Sequence, residues 1–329
     1  MNIVVLAGGN STEREVSLVS GREIYRALKS FKENDVIYID VNSNYSTDVA
    51  FGTDTDWEEL VFDNKLSRSE SYFGENVINI CKKADMVFLA LHGENGEDGK
   101  IQAAFELMNI KYTGTDYKSS ALAMDKALTK AVLVNKNIPT PSSFLLTKEN
   151  ADSNTDELVF PKVIKVTNGG SSIGVFIAYN KEDYVKYLDE AFAIEDEVLV
   201  EDYVKGREFS VGVVNGKAYP IIEIVPKEGF YDYKTKYTKG AAEDICPAVL
   251  SEEKTKEMQG LAERVCEALG IKCYARVDFL MNEDEELFCL EANTLPGMTP
   301  TSLLPQEAAV LGIDYASLCM NIINISKNK

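Results

Sequence analysis

"ARVDFLMNEDEELFCLEANTLPGM", residues 275–298, reads as two apolar strands joined by an acidic turn, with Arg276, Asp278, Glu291 and Asn293 interrupting the apolar runs. With the turn centred on residues 282–287, positions that pair across the ribbon sum to a constant, so 278 faces 291 and 276 faces 293. Side chains alternate along a strand, which puts the four polar residues on one face and Val277, Phe279, Leu290 and Ala292 on the other. Directly paired Cα atoms stand about 4.5–5.5 Å apart, and like charges so placed destabilise a sheet unless a cation neutralises them. Two carboxylates and an amide oxygen are hard ligands of the kind Mg²⁺ takes. The alternative is a solvated sheet face with an ion pair to Arg276. Apolar neighbours around each polar residue, and the immediate turn at NTLPGM, favour the metal.

The rest of the chain bounds what such a site serves. A length of 329 residues suits two or three domains. Thirty-four basic against 53 acidic side chains give a net charge of −19, so no basic surface awaits nucleic acid. An anionic ligand needs lysines and arginines gathered locally. The start, MNIVVLAGG, is too short an apolar run for a signal peptide, and no stretch reaches the roughly 18 apolar residues of a membrane span. Cys81, Cys246, Cys266, Cys273, Cys289 and Cys319 form no CxxC pair and read as reduced core thiols. The expectation is a cytoplasmic protein with no membrane partner.

The first third alternates strand and helix: NIVVLAGG, then REVSLVSGREIYRALKS, then DVIYID and MVFLALHG. Such alternation predicts a parallel, Rossmann-like sheet with helices on both faces, over residues 1–114. Residues 42–74 are polar and poorly periodic, an excursion of loop and short helix. SSALAMDKALTKAVLVNKN predicts one helix with a serine start, stopped by the prolines of IPTPSS. FPKVIKV, IGVFIAY and EVLVEDYV predict strands of an α+β unit, 115–201. A third unit, 202–329, contains a hairpin turning at Asn215–Gly216 and the ribbon quoted above.

Several other stretches carry chemistry. VTNGGSSIG, with Ser171, joins two strands, and its glycines could turn backbone N–H groups toward phosphate, although a flexible hairpin loop reads the same way. Lys165, inside an apolar run, should snorkel out or meet an anion. Lys126 is a second candidate, a solvated helix lysine being the alternative. In VEDYVKGREF, Glu201 stands at a strand end. The backbone there, through Tyr203 and Val204, could accept from an adenine amino group, and Glu208 from ribose hydroxyls; standing alone, Glu201 and Glu208 read as surface acids. Residues 230–240, FYDYKTKYTKG, suit a lid, Lys236 supplying charge and tyrosines excluding water, a simple exposed loop being the alternative. LAGGNSTEREVSL lacks GxGxxG, so no dinucleotide fingerprint is present. Glu13 there either interacts with a helix dipole or holds a substrate ammonium at a strand's carboxyl end. His92, the sole histidine, follows a strand at a similar end, where ligands bind, although a lone histidine is more often structural.

Taken together, AGGNSTEREVSL, LHGENGEDG, YTGTDYKSSALAMDK, GGSSIG, FYDYKTKY, ARVDF and LEANTLPGMTPTSLLP arrive in the order of one family. The chain resembles the D-alanine–D-alanine ligases, ATP-grasp carboxylate–amine ligases, over nearly its whole length. The resemblance implies an N-terminal parallel α/β domain followed by two α+β units that clamp ATP. It implies phosphorylation of one D-alanine carboxylate by ATP, then displacement of phosphate by the amine of a second D-alanine, supplying peptidoglycan synthesis. Asp278, Glu291 and Asn293 match the positions that hold two Mg²⁺ ions (Mn²⁺ can substitute), with Glu291 bridging. Arg276 and Lys236 match groups that neutralise the transferring phosphoryl. Lys126 and Lys165 match phosphate contacts, and Glu201 and Glu208 the adenine and ribose contacts. Glu13, Ser171 and Tyr237 match a set around the first substrate, near His92. Gly297, Ser302 and Leu303 fall where the second substrate binds. A homodimer is also implied.

Departures from the family pattern are Asp202, where lysine is common, and Thr235 in YKTKY. Competing readings are a D-Ala–D-Ser or D-Ala–D-lactate ligase, or a catalytically dead ATP-grasp sensor, which should have lost a metal ligand or lid lysine. In the family, tyrosine at the position of Tyr237 accompanies an amine second substrate and phenylalanine a hydroxy acid. Tyr237→Phe is therefore expected to raise the proportion of D-Ala–D-lactate formed from mixed D-alanine and D-lactate, and an unchanged product ratio contradicts the role given to Tyr237.

Overall fold

The computed structural model describes residues 1–62, 66–151, 158–170, 173–226 and 242–329. Ser171, Lys236 and Tyr237, and the lid stretch with them, lie outside the described residues. The chain opens with β1 (Asn2–Ala7), α1 (Arg14–Lys29), β2 (Asp35–Asp40), α2 (Trp57–Phe62), α3 (Val77–Cys81), β3 (Met86–Leu89) and α4 (Lys100–Leu107). The three strands form a parallel sheet in the order β2-β1-β3, as strand–helix alternation demands. Helix α1 lies close on this sheet because Gly21 presents no side chain: a Cβ there would stand 2.5 Å from the Ala7 Cβ and 2.8 Å from the Tyr38 ring.

The described parts of the excursion over 42–74 fold back on the carboxyl ends of these strands. Arg68 donates to the Gly9 carbonyl at 3.0 Å, and the Tyr72 hydroxyl to the Asn95 carbonyl at 3.1 Å. They thus brace the two loops, one after β1 and one after β3, that carry Glu13 and His92.

The stretch read as one serine-started helix is two: α5 (Tyr117–Met124) and α6 (Lys126–Asn135). Asp116, not a serine, caps the first, and Asp125 breaks the run by capping the second, its carboxylate accepting from the Leu128 N–H at 2.9 Å. The break places Lys126 at the first turn of α6, where its own N–H bonds the Thr167 carbonyl at 3.0 Å.

A four-stranded antiparallel sheet follows, β4 (Ser143–Thr147), β5 (Lys162–Val166), β6 (Val175–Ala178), α7 (Lys181–Phe192) and β7 (Glu197–Asp202), in the strand order β4-β7-β5-β6. Strand β4, SFLLT, was not expected. It is a largely exposed edge and lacks the alternation that marks a half-buried strand. The last sheet holds β8 (Arg207–Val214), β9 (Lys217–Ala218), β10 (Ile222–Pro226), β11 (Ala242–Ile245), then after α8 (Glu252–Leu269), β12 (Tyr274–Met281) and β13 (Leu287–Asn293). Its order is β11-β10-β8-β12-β13, with β9 on β8. Asn215 and Gly216 both take positive φ, 52° and 71°, the turn that Asn-Gly prefers.

Helices α9 (Leu303–Val310) and α10 (Tyr315–Ser326) end the chain. The three hydrophobic cores cut across the three intervals expected from sequence. Ala123 and Leu133 of α5 and α6 join the core of the last sheet, and Leu304, Leu318 and Ile322 of α9 and α10 join that of the first. All six cysteines are unpaired thiols, five of them buried. Among the described residues no single helix is long and apolar enough to cross a membrane.

Gly21→Ala sets a helix-propensity gain of about 1 kcal/mol against an overpacking cost of about 1–3 kcal/mol. The Cβ of Ala7 belongs to a central strand and cannot swing aside, so overpacking should win. Urea unfolding should show a lowered midpoint with an unchanged slope; a raised midpoint contradicts the packing described for α1.

A candidate nucleotide and amino-acid site

The ribbon has the register expected: Arg276↔Asn293, Val277↔Ala292 and Asp278↔Glu291. Asn282 builds the turn, its side-chain oxygen accepting from the N–H groups of Asp284 and Glu286 at 3.0 and 2.8 Å. Beyond Asp278 the pairing slips by one residue, so Phe279 faces Cys289. This bulge corrects the expectation for Leu290. The extra residue turns Leu290 away from the apolar face, and it lines a cavity together with Leu280, Asp278 and Glu291.

That cavity, about 540 Å³, lies between the four-stranded sheet and the last sheet. Lys126, Lys165, Glu201 and Glu208 line it, as do Tyr203 and Val204 in the segment that leads from β7 into β8. Val163, Ile177, Leu280 and Leu290 give it apolar walls. A flat, partly apolar group with a charged tail suits this combination.

Both acids of the ribbon have cationic neighbours. Arg276, itself buried, grips Asp278 with two nitrogens at 2.9 and 2.7 Å, and the Ser210 hydroxyl donates to the same carboxylate at 2.8 Å. The ion pair weighed against the metal is therefore present, but inside the protein rather than on a wet surface. Glu291 stands 3.7 Å from the Lys126 ammonium, which also donates to the Gly169 carbonyl at 2.6 Å. Beside Arg276 in the register, Gly212 leaves room for the carboxyl of Glu307, which accepts the Gly212 N–H at 2.7 Å. Burial pushes the Glu307 carboxyl well above the ordinary range.

Glu201 is 2% exposed, held by Lys165 at 2.8 Å and by Lys130 at 3.1 Å. Burial raises its pKa, yet the two lysine charges outweigh burial and hold it below the ordinary carboxylate range. For Lys165 burial opposes the charge and Glu201 prevails, raising it; for Lys130 burial prevails, lowering it. Asp202 pairs with Lys162.

A second, small cavity of about 40 Å³ adjoins the first, and Lys126, Gly169, Gly170 and Glu291 line both. Glu13, Glu97, Asn293 and Thr294 supply the rest of its polar lining, beside Ala123, Met124 and Ala292. The Glu13 carboxylate fits beside Gly93, where a Cβ would stand 2.8 Å from it, and beside Gly170. Asn293 accepts the Leu295 N–H at 3.0 Å. His92 does not line either cavity: its Nδ1 faces Glu97 at 3.3 Å and the Leu295 carbonyl at 3.1 Å, and its Nε2 faces Ser20 at 3.2 Å. It stands behind Glu97, whose carboxyl burial raises against the lowering effect of His92. Arg276, Gly297, Ser302 and Leu303 likewise do not line these cavities. Ser302 is the N-cap residue of α9, its Oγ accepting from the Thr299 N–H at 3.0 Å.

Glu97 and Lys130 were not singled out from the sequence. Lys130 follows Lys126 by four residues, the spacing that puts both on one helix face. Glu97 sits in the glycine-rich loop after His92, where no periodicity marks which acid turns inward.

Family models described as D-ala D-ala ligase N-terminus and D-ala D-ala ligase C-terminus match residues 2–115 and 132–324. A D-alanine–D-alanine ligase of Pediococcus pentosaceus is 43% identical, covering 98% of this chain and 97% of the relative. One from Aquifex aeolicus is 36% identical, covering 98% and 100%. Among solved structures, the Bacillus anthracis D-alanine–D-alanine ligase complexed with ATP superposes with a TM-score of 0.79 at 32% identity, covering 100% of this chain and 97% of that one. The VanG D-Ala:D-Ser ligase of Enterococcus faecalis gives 0.82 at 28% identity, covering 99% of each. With both halves matched and relatives aligned end to end, the chain belongs to the D-alanine–D-alanine ligase family.

Proposed function

We propose that this protein joins two D-alanine molecules using ATP, through a D-alanyl phosphate, and so supplies the dipeptide for peptidoglycan. The observation that carries the reading is the junction of the two cavities at Lys126 and Glu291. A nucleotide in the larger cavity then directs its phosphates to the place where a small amino acid in the smaller one presents its carboxylate. Holding the two reactants in contact is the larger part of such catalysis.

The adenine end faces Glu201, Tyr203 and Val204, with Glu208 toward the ribose. Lys165 and Lys126 face the phosphates. Glu13, beside Glu97, takes the ammonium of the first amino acid, and Arg276 offers a guanidinium for the transferring phosphoryl. In this reading Ser171 and Tyr237 serve the first substrate and Lys236 the lid, and Gly297, Ser302 and Leu303 serve the second substrate.

A divalent cation fits this donor set. Two carboxylates opposed across the ribbon, with the Asn293 amide on the same face, are all-oxygen ligands that leave further positions for water and phosphate. Asp278, Glu291 and Asn293 would hold two Mg²⁺ ions, Glu291 being the one that faces both cavities. Bound there, the ions supply charge neutralisation on the phosphates. Among the described residues no cluster of three His, Cys, Asp or Glu offers another metal site. A homodimeric cytoplasmic enzyme, without nucleic-acid or membrane partners, completes the proposal, and the net charge of −19 agrees with the exclusion of nucleic acid.

Phosphate release from ATP should depend on D-alanine and not respond to L-alanine; equal response to both isomers contradicts the ligase assignment. In an assay offering D-alanine, D-serine and D-lactate together, D-Ala–D-Ala should dominate, and a D-Ala–D-Ser product would move the assignment to that branch of the family. Glu291→Gln removes one charge and little volume. It should lower turnover by roughly 10²-fold or more while far-UV circular dichroism and thermal unfolding stay as in the parent; near-parental turnover contradicts the metal role.

A further inference from the structure

We propose that Lys130 is a positioning residue for the nucleotide: it keeps the Glu201 charge balanced so that Lys165 is free to serve the phosphates. This rests on the nucleotide assignment above. The two lysines hold opposite oxygens of one carboxylate, Lys130 on Oε1 at 3.1 Å and Lys165 on Oε2 at 2.8 Å. Their surroundings differ. The Lys130 ammonium also donates to the Thr140 hydroxyl at 2.7 Å and the Pro141 carbonyl at 2.8 Å, two bonds that anchor it away from the cavity. Thr140 is itself tied to the Cys289 carbonyl at 2.8 Å, two residues before Glu291. Lys130 is 3% exposed and does not line the nucleotide cavity, whereas Lys165 does.

The three groups carry two positive charges and one negative, a surplus of one positive charge. Because Lys130 is anchored, the surplus belongs to the member on the cavity wall. If a phosphate recruits Lys165 without Lys130 present, Glu201 becomes a buried carboxylate with no counter-ion, which is strongly unfavourable. In such a protein Lys165 stays on Glu201, and the phosphates lose a cation. With Lys130 in place, Glu201 keeps one partner and Lys165 can move the short distance from carboxylate to phosphate. A lysine outside the cavity thereby raises affinity for the charged tail of the nucleotide and leaves the adenosine end unaffected.

Titration calorimetry of adenosine and of ATP with Mg²⁺, on the full-length protein, distinguishes this from a packing role. Lys130→Met should weaken ATP binding roughly tenfold or more while adenosine changes by less than about twofold, and Lys130→Arg should restore most of the ATP preference. Loss of both ligands by the same factor, or of neither, overturns the proposal. Glu201→Gln supplies a second measurement that holds even if Lys130→Met does not fold: removing the carboxylate charge frees Lys165, so the ratio of ATP to adenosine affinity should be kept or increased, and a fall in that ratio also overturns it. An unaltered protein that binds neither ligand would overturn the nucleotide assignment itself, whereas a uniform loss in Lys130→Met overturns only the role given to Lys130.

Discussion

Two carboxylates, Asp278 and Glu291, stand opposite each other across an antiparallel ribbon and face the same cavity. Like charges placed so repel each other unless positive charge is close by. The surrounding structure supplies it from different elements: Arg276 from the same strand, and Lys126 from the first turn of α6. The neighbouring strand β8 contributes what the ribbon needs to hold Arg276 and Asp278 in place, a hydroxyl from Ser210 on Asp278 and a glycine at 212 that makes room for Glu307 beside Arg276. In the proposed complex a divalent cation would add to these groups the further positive charge that the opposed acids call for.

The same logic extends across the cavity. The chain as a whole carries a charge of −19, so an anionic ligand is drawn only by local cations. Lys126, Lys130 and Lys165 provide them, and their placement depends on features with no obvious link to chemistry. Asp125 interrupts a helix, and Lys126 starts the next one. Glu201 is buried where two strands meet, and the lysines organise around it. In the first domain the long excursion braces the loops at the carboxyl ends of β1 and β3, the end of a parallel sheet where ligands bind.

How much of this could be read from the amino-acid order depends on how local the signal is. The ribbon register was legible because a single turn joins its two strands and apolar residues bracket each polar one. The bulge at Asp278–Phe279 was not, since inserting one residue changes no composition or period, and it redirected Leu290 into the cavity. The parallel sheet and the Asn215–Gly216 turn were legible for similar reasons of local chemistry. The split between α5 and α6 was missed because both helices are periodic on either side of Asp125, and only the capping bond marks the boundary. Strand β4 was missed because an exposed edge has no alternating pattern. Lys130 and Glu97 carry partners 71 residues and five residues away. In the first case the reach of the Lys130 side chain from α6 to Glu201 on β7, and in the second a glycine-rich loop conformation, brings each to its partner. The intervals assigned to domains missed the fact that chain order and core membership differ: α9 and α10 come last and pack with the first sheet.

The most direct measurement is electron paramagnetic resonance of Mn²⁺ titrated into the protein with a non-hydrolysable ATP analogue, for the parent chain and for Asp278→Asn. Mn²⁺ should bind tightly only when the nucleotide is present, and Asp278→Asn should release most of it while the analogue still binds. Mn²⁺ held equally well by both proteins would contradict the placement of the metal-bound nucleotide against the acidic ribbon.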